Sequence, residues 1–277
     1  MLYLKLYLVL LMSLFNYIFI SHDEPITYKD TFNKATHSDY SDAFKIGSQI
    51  PNDLLTLKLY NTHSKNHIEA VGKISSDETG KSGNGATAFV IDDYTIITAS
   101  HVASDKVGNK ETKQFYFYPS KADQRVPIKF KVKNFHKSSE RDVAVLITQQ
   151  RLSTKIKPLK IASEQEIKDL KPKEPLYMLG YPNKKPYNGQ FMYQSNGYYL
   201  KSTKDYIEYI GHLHRTTGFS GSPVLNEHNH VVGLHAHGIS PEINTKHQST
   251  RDIYTGGPLI TGKTRDFINQ QDRKSVV

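Results

Sequence analysis

The 277-residue chain contains no cysteine. That absence excludes a disulfide framework, thiolate metal sites and a cysteine nucleophile together, so stability must come from burial. Tryptophan is also missing and only 4 methionines occur, yet hydrophobic residues reach 37% and aromatics 11%, with 18 Tyr against 12 Phe. Such a composition packs a core and excludes a wholly disordered protein. No internal repeat or low-complexity tract is present, and no Arg/Lys-rich run is interleaved with aromatics, so nucleic acid is not an expected partner. The formal charge of +9 instead suits an anionic surface or acidic substrate segments. The length admits one large domain or two small ones.

At the start, a single lysine, Lys5, precedes an apolar and aromatic run from Leu6 to Ile20 that is broken only by Ser13 and Asn16. Residues 1–21 are expected to form a secretory signal segment, with Ser21 as the small residue for cleavage. An uncleaved anchor is the alternative, although the run is short for a span of about 20 residues. A secreted mature chain with no stable membrane span, acting as a monomer, is therefore expected. Residues 22–67 are polar and lack a sustained period. They are expected to form an extension or pro-segment with a short helix near Tyr40 to Ile46, or else an ordered N-terminal subdomain.

From Ile68 the chain changes to short β-type runs bounded by Gly, Asn, Asp and Pro: ATAFVI, TIITA, QFYFYP, IKFKVKNF, VAVLIT, LYMLGY, DYIEYI and VVGLHAH. This spacing predicts an all-β sandwich or pair of barrels. IKFKVKNF alternates strictly, as a half-solvated antiparallel strand does. The stretch QQRLSTKIKPLKIASEQEIKDLKPKEP predicts a linker between the halves, and TGKTRDFINQQ a C-terminal helix.

Three segments carry chemistry. AFVIDDYTIITASHVAS is a strand, a turn at Asp92 and Asp93, and a second strand ending at His101. RDVAVLIT places Asp142 directly before an apolar strand. TTGFSGSPVLN sets Ser220 in a Gly-x-Ser-Gly-Ser-Pro loop. Acyl transfer to serine needs a hydroxyl nucleophile, an imidazole to take its proton, and a carboxylate to fix the imidazole tautomer. The order His101, Asp142, Ser220 is that of chymotrypsin-type enzymes rather than of other folds bearing the same triad. The backbone N–H groups of Gly218 and Ser220 are the expected oxyanion donors, since glycine permits the required conformation and a close substrate approach. Ser222 is the rival hydroxyl in the same loop.

The segments TASHV, RDVAVL, LGYP and TTGFSGSPVLNEHNHVVGLHAHG resemble the staphylococcal glutamyl endopeptidase and exfoliative toxin family of serine proteases, over about Ile68 to Ile268. The resemblance implies two antiparallel six-stranded β-barrels with the site between them, a C-terminal helix and no cofactor. It implies barrels at 68–155, with His101 and Asp142, and at 156–262, with Ser220, followed by a helix and tail at 263–277. It also implies endopeptidase cleavage after an acidic residue, Glu or Asp, of a protein or peptide. The family's carboxylate-binding His matches His235. The family's Thr five residues before the nucleophile is here Arg215, with Thr216 adjacent. A guanidinium keeps the sign of the pocket and can hold a carboxylate through two parallel hydrogen bonds. It can either fill the pocket or point outward and leave Thr216 in its place.

Phe219 stands where trypsin-like zymogens have an Asp that receives the freed N-terminal ammonium, so that ion pair cannot form here. His212, His214, His235 and His237 make two His-x-His pairs, whose members share a strand face. A metal site is conceivable, but no carboxylate second layer is evident, and a cationic pocket is the expected reading with no metal. A catalytically silent binding protein on the same fold is the alternative function.

Overall fold

A computed structural model describes residues 35–103, 106–107, 110–111, 114–123, 128–239 and 253–273, all within one compact body, Phe32–Val277. The expected signal segment 1–21 lies outside the described residues. Among the described residues no helix is long and apolar enough to cross a membrane.

The N-terminal extension holds helix α1 (His37–Gly47) and strand β1 (Thr56–Leu59). Thr36 caps α1: its hydroxyl accepts from the Asp39 N–H, and the Asp39 carboxylate accepts from the Thr36 N–H in return. The expected short helix is thus present and three residues longer at its start. β2 (Val71–Ser75), β3 (Ala86–Val90) and β4 (Thr95–Thr98) follow, then a separate two-stranded hairpin of β5 (Lys106–Val107) and β6 (Lys110–Glu111). β7 (Tyr116–Pro119), β8 (Phe130–Lys137) and β9 (Ala144–Thr148) complete a closed antiparallel barrel in the order β2-β3-β4-β9-β8-β7. β2, β3, β4 and β9 are buried along their whole length, which is why ATAFVI, TIITA and VAVLIT read as apolar runs. On β8, Phe130 and Val132 are buried while Lys131 and Lys133 are exposed, as the alternation predicts. A bulge between Val132 and Asn134 then ends that pattern.

The linker folds around a short helix, α2 (Glu164–Lys168), which Ser163 and Glu166 close with a capping box. The second half contains β10 (Pro175–Gly180), β11 (Tyr193–Ser202), β12 (Glu208–His212), β13 (Pro223–Leu225), β14 (Val231–Leu234), β15 (His237–Gly238) and β16 (Tyr254–Pro258). They run β14-β13-β10-β11-β12-β16-β15, and β1 pairs with β11 to make eight strands. The first barrel is thus closed, while the expected second six-stranded barrel is not shown closed by its strand ladders alone. A single antiparallel bridge, Gly233 to Leu259, joins β14 to the chain beyond β16. On either side of it the Ile260 N–H donates to the Val232 carbonyl at 2.9 Å and the Ala236 N–H to the Gly256 carbonyl at 3.0 Å, so the chain from β14 into β15 runs along β16. Helix α3 (Gly262–Arg273) closes the chain and buries Ile268, with Phe267 beside it, against the first barrel.

Candidate active site

β4 pairs with β9 so that Thr98 lies opposite Ala144. His101, three residues past Thr98, and Asp142, two before Ala144, therefore emerge together at one barrel end. His101 Nδ1 lies 2.6 Å from Asp142 Oδ2, and the His101 N–H donates to Asp142 Oδ1 at 3.0 Å. Asp142 thus grips both the ring and the backbone of the same residue. Its side chain is 3% exposed and that of His101 46%. Burial works against the Asp142 charge, but the hydrogen bonds from His101 prevail and hold the carboxyl below its usual range. A carboxylate accepts only, so Nδ1 carries the proton and Nε2 is left as the acceptor.

Ser220 sits between β12 and β13, flanked by Gly218 (φ +100°) and Gly221 (φ +83°), both in the left-handed region. A Cβ on Gly221 would lie 2.2 Å from Thr98 Oγ1 and 3.1 Å from the Ala99 nitrogen. The serine loop is therefore seated against the end of β4, the strand that leads to His101. Ser220 is partly exposed, whereas Ser222 is fully buried with its hydroxyl beside Gly180. Only the first can meet a substrate. The Ser220 hydroxyl makes no hydrogen bond among the described residues.

The residues expected to bind substrate lie close to the serine loop. The Gly221 N–H donates to the His235 carbonyl at 2.8 Å, and the His235 N–H to the Ser222 carbonyl at 2.9 Å, so the serine loop and the His235 segment share backbone hydrogen bonds. Arg215 turns inward: a Cβ on Gly238 would lie 1.7 Å from Arg215 Cζ, so the guanidinium lies directly on that glycine. Thr216 is half-buried, and its carbonyl accepts from the Phe219 N–H at 3.2 Å. Burial, then the Arg215 charge and neighbouring His237, drive the His235 imidazole well below the ordinary histidine value. His237, which sequence reasoning treated only as half of a His-x-His pair, packs over Gly256. Burial pulls His237 down to about 4 against the opposing charge of Asp142. Its position two residues after His235 was the available signal.

His212 does not join this group. Its ring stacks on Tyr254 with centroids 4.6 Å apart and 1° between planes, and burial pulls it down to about 4. Among the described residues, no cluster of three or more His, Asp or Glu side chains is placed to hold a metal.

The sequence matches the trypsin-like peptidase domain over residues 86–234, more than half of the chain, and this span includes His101, Asp142 and Ser220. The chain belongs to the trypsin-like peptidase family. Solved structures similar to this trypsin-like peptidase include a Glu endopeptidase, 19% identical, covering 79% of this chain and 96% of its own, with a TM-score of 0.61. The protease Anisep from Arthrobacter nicotinovorans is 15% identical, with 78% and 98% covered and a TM-score of 0.58. The thermostable serine protease AL20 from an extremophilic microorganism is 16% identical, with 74% and 96% covered and a TM-score of 0.56. The fold of this trypsin-like peptidase is accordingly chymotrypsin-like, with one closed barrel and a C-terminal helix.

Proposed function

We propose that the chain is a secreted serine endopeptidase that cleaves proteins or peptides after acidic residues and is related to the staphylococcal glutamyl endopeptidases and exfoliative toxins. The observation carrying the catalytic reading is the double grip of Asp142 on His101 beside a partly exposed Ser220. Ser220 Oγ attacks the scissile carbonyl while His101 Nε2 takes its proton. The Gly218 and Ser220 N–H groups receive the oxyanion. His101 then protonates the leaving amine, and water, deprotonated by His101, hydrolyses the acyl-enzyme. Asp142 keeps the imidazole in the required tautomer throughout. The Ser220–His101 contact closes with substrate present, as catalytic hydrogen bonds commonly do.

The acidic preference rests on Arg215, whose guanidinium is turned inward with His235 and Thr216 nearby. Because His235 is held neutral, Arg215 supplies the positive charge and His235 a hydrogen bond. We also read α1 and β1 as retained after secretion. Lys201 bridges Asp39 and Asp42, β1 pairs with the central strand β11, and a cleavage after residue 67 would remove both elements. N-terminal sequencing of the secreted protein tests this. A peptide-library digest read by mass spectrometry tests the main reading. Cuts after Glu or Asp are expected, and cuts after Lys, Arg or Leu would refute the acidic pocket. A chain that binds acidic peptides but resists a serine-directed phosphonate would instead be a silent binding protein.

A further inference from the structure

Phe219, fully buried, has an apolar side chain, so the residue before the nucleophile supplies no carboxylate to order the oxyanion loop. Something else must hold that loop. The first barrel provides it through Thr87 on β3, a fully buried residue. The Thr87 N–H donates to the Ser220 carbonyl at 3.0 Å, and its hydroxyl donates to the Gly218 carbonyl at 2.8 Å while accepting the Tyr181 N–H at 3.0 Å. Thr98 fixes Thr87 in turn, its hydroxyl donating to the Thr87 carbonyl at 2.7 Å.

A second tie lies one peptide earlier, where the Asn183 N–H donates to the Thr217 carbonyl at 2.8 Å. In a trans peptide the C=O and N–H point in opposite directions. With the Thr217 carbonyl turned to Asn183, the Gly218 N–H faces the other way. With the Gly218 carbonyl turned to Thr87, the following peptide plane is fixed as well. Gly218 accommodates this with φ +100°, where a Cβ would strike the Tyr181 carbonyl at 2.1 Å. Among the described residues, neither the Gly218 N–H nor the Ser220 N–H has an acceptor. Both are therefore available to a ligand.

We propose that Thr87 is a positioning residue that locks the oxyanion loop in its donating form, replacing the ion pair that Phe219 precludes. The proposal rests on the reading of Gly218 and Ser220 as oxyanion donors. Its consequence is a site assembled by the fold itself, with no ordering step that depends on a new N-terminus. The hydroxyl is needed both to donate and to accept. Valine, of similar shape, loses both roles, and serine keeps both.

Thr87→Val, Thr87→Ser and wild type should be compared by steady-state kinetics, by thermal unfolding and by the crystal structure of the valine variant. Thr87→Val is expected to lower kcat by about 10²- to 10³-fold, the cost of one oxyanion donor, with KM changed less than about 3-fold. Thr87→Ser should recover most of that loss, and the Gly218 φ should leave the left-handed region in the valine structure. Equal kcat losses in both variants, or a loss in KM alone, would overturn the proposal. So would a valine structure with the Thr217–Gly218 peptide unmoved. If wild type cleaves nothing and resists phosphonylation, the catalytic reading of Ser220 has failed. The position of Gly218 in the valine structure then decides the role of Thr87 alone.

Discussion

The two halves bury different chemistry. The first barrel is filled by Val, Ile, Phe and Ala from strands buried along their length, and none of its described side chains has a buried polar atom without a hydrogen bond. The second half buries Tyr, His, Ser and Met beside Leu, Val and Ile, and among the described residues it leaves Ser195 Oγ, both nitrogens of His212, Ser222 Oγ and His235 Nδ1 unbonded. Such groups cost free energy and concentrate where a site is built. One half is thus a closed scaffold presenting His101 and Asp142 at its strand ends. The other carries Arg215 and Ser220 between β12 and β13 and His235 between β14 and β15.

The largest effect that would test this division lies at the junction. Ser220→Ala should lower kcat by on the order of 10⁶-fold while the thermal transition stays in place, since the side chain packs into neither core. Asp142→Asn should cost about 10⁴-fold in kcat by letting His101 adopt the wrong tautomer. It also removes a pH-dependent stabilisation. The Asp142 pKa is lower folded than unfolded, so its contribution is present above the ordinary carboxylate range and is lost as pH falls through the folded value. Acid unfolding of the asparagine variant should therefore be less steep than that of wild type.

In the second half, Arg215→Thr should reduce kcat/KM for peptides with an acidic residue before the cut by about 10- to 100-fold, the worth of a hydrogen bond to a charged group. Peptides with a neutral residue there should change little. An equal loss on both would show that Arg215 supports the loop rather than the specificity.

The first barrel offers a test that leaves the chemistry untouched, at a buried lysine. Lys73 is 1% exposed and its ammonium donates to the Ser82 carbonyl. Burial, aided by the charge of Lys121, pulls it down to about 8. A lysine with a lowered folded pKa destabilises the protein while it is protonated, and the penalty is relieved as pH rises from about 8 towards the unfolded value. Wild-type stability should rise by roughly 3 kcal/mol across that window. Lys73→Met should remove the rise and equal or exceed wild type at pH 7, as measured by urea unfolding at several pH values.

Legibility in the sequence follows the same division. Strands that bury apolar runs announced themselves, as β3, β4 and β9 did, and so did the alternation on β8. β11 did not: YQSNGYYLKS mixes polar, glycine and aromatic residues, and its pairing with three neighbouring strands makes it a strand. β13 has only three residues and β16 contains two glycines and a proline, so neither carries a local β signal. The meeting of His101 with Asp142 was legible because each stands at a strand end in a distinctive context. The direction of Arg215 was not, since it depends on the guanidinium resting on Gly238, 23 residues later. Thr87 was hidden because a threonine in a strand is unremarkable until its hydroxyl is seen between two loops.

The pairing of β1 with β11 also sets a timetable. Thr56 aligns with Asn196, 140 residues later, and the Asn196 amide donates to the Thr56 hydroxyl across that gap. Among the described residues, β1 thus has no partner strand until the middle of the second half has been synthesised. Closing so long a loop is slow compared with forming neighbouring hairpins. The order of folding therefore reverses the order of the chain at this point: the first barrel can assemble from local pairings, and the N-terminal strand docks among the last elements.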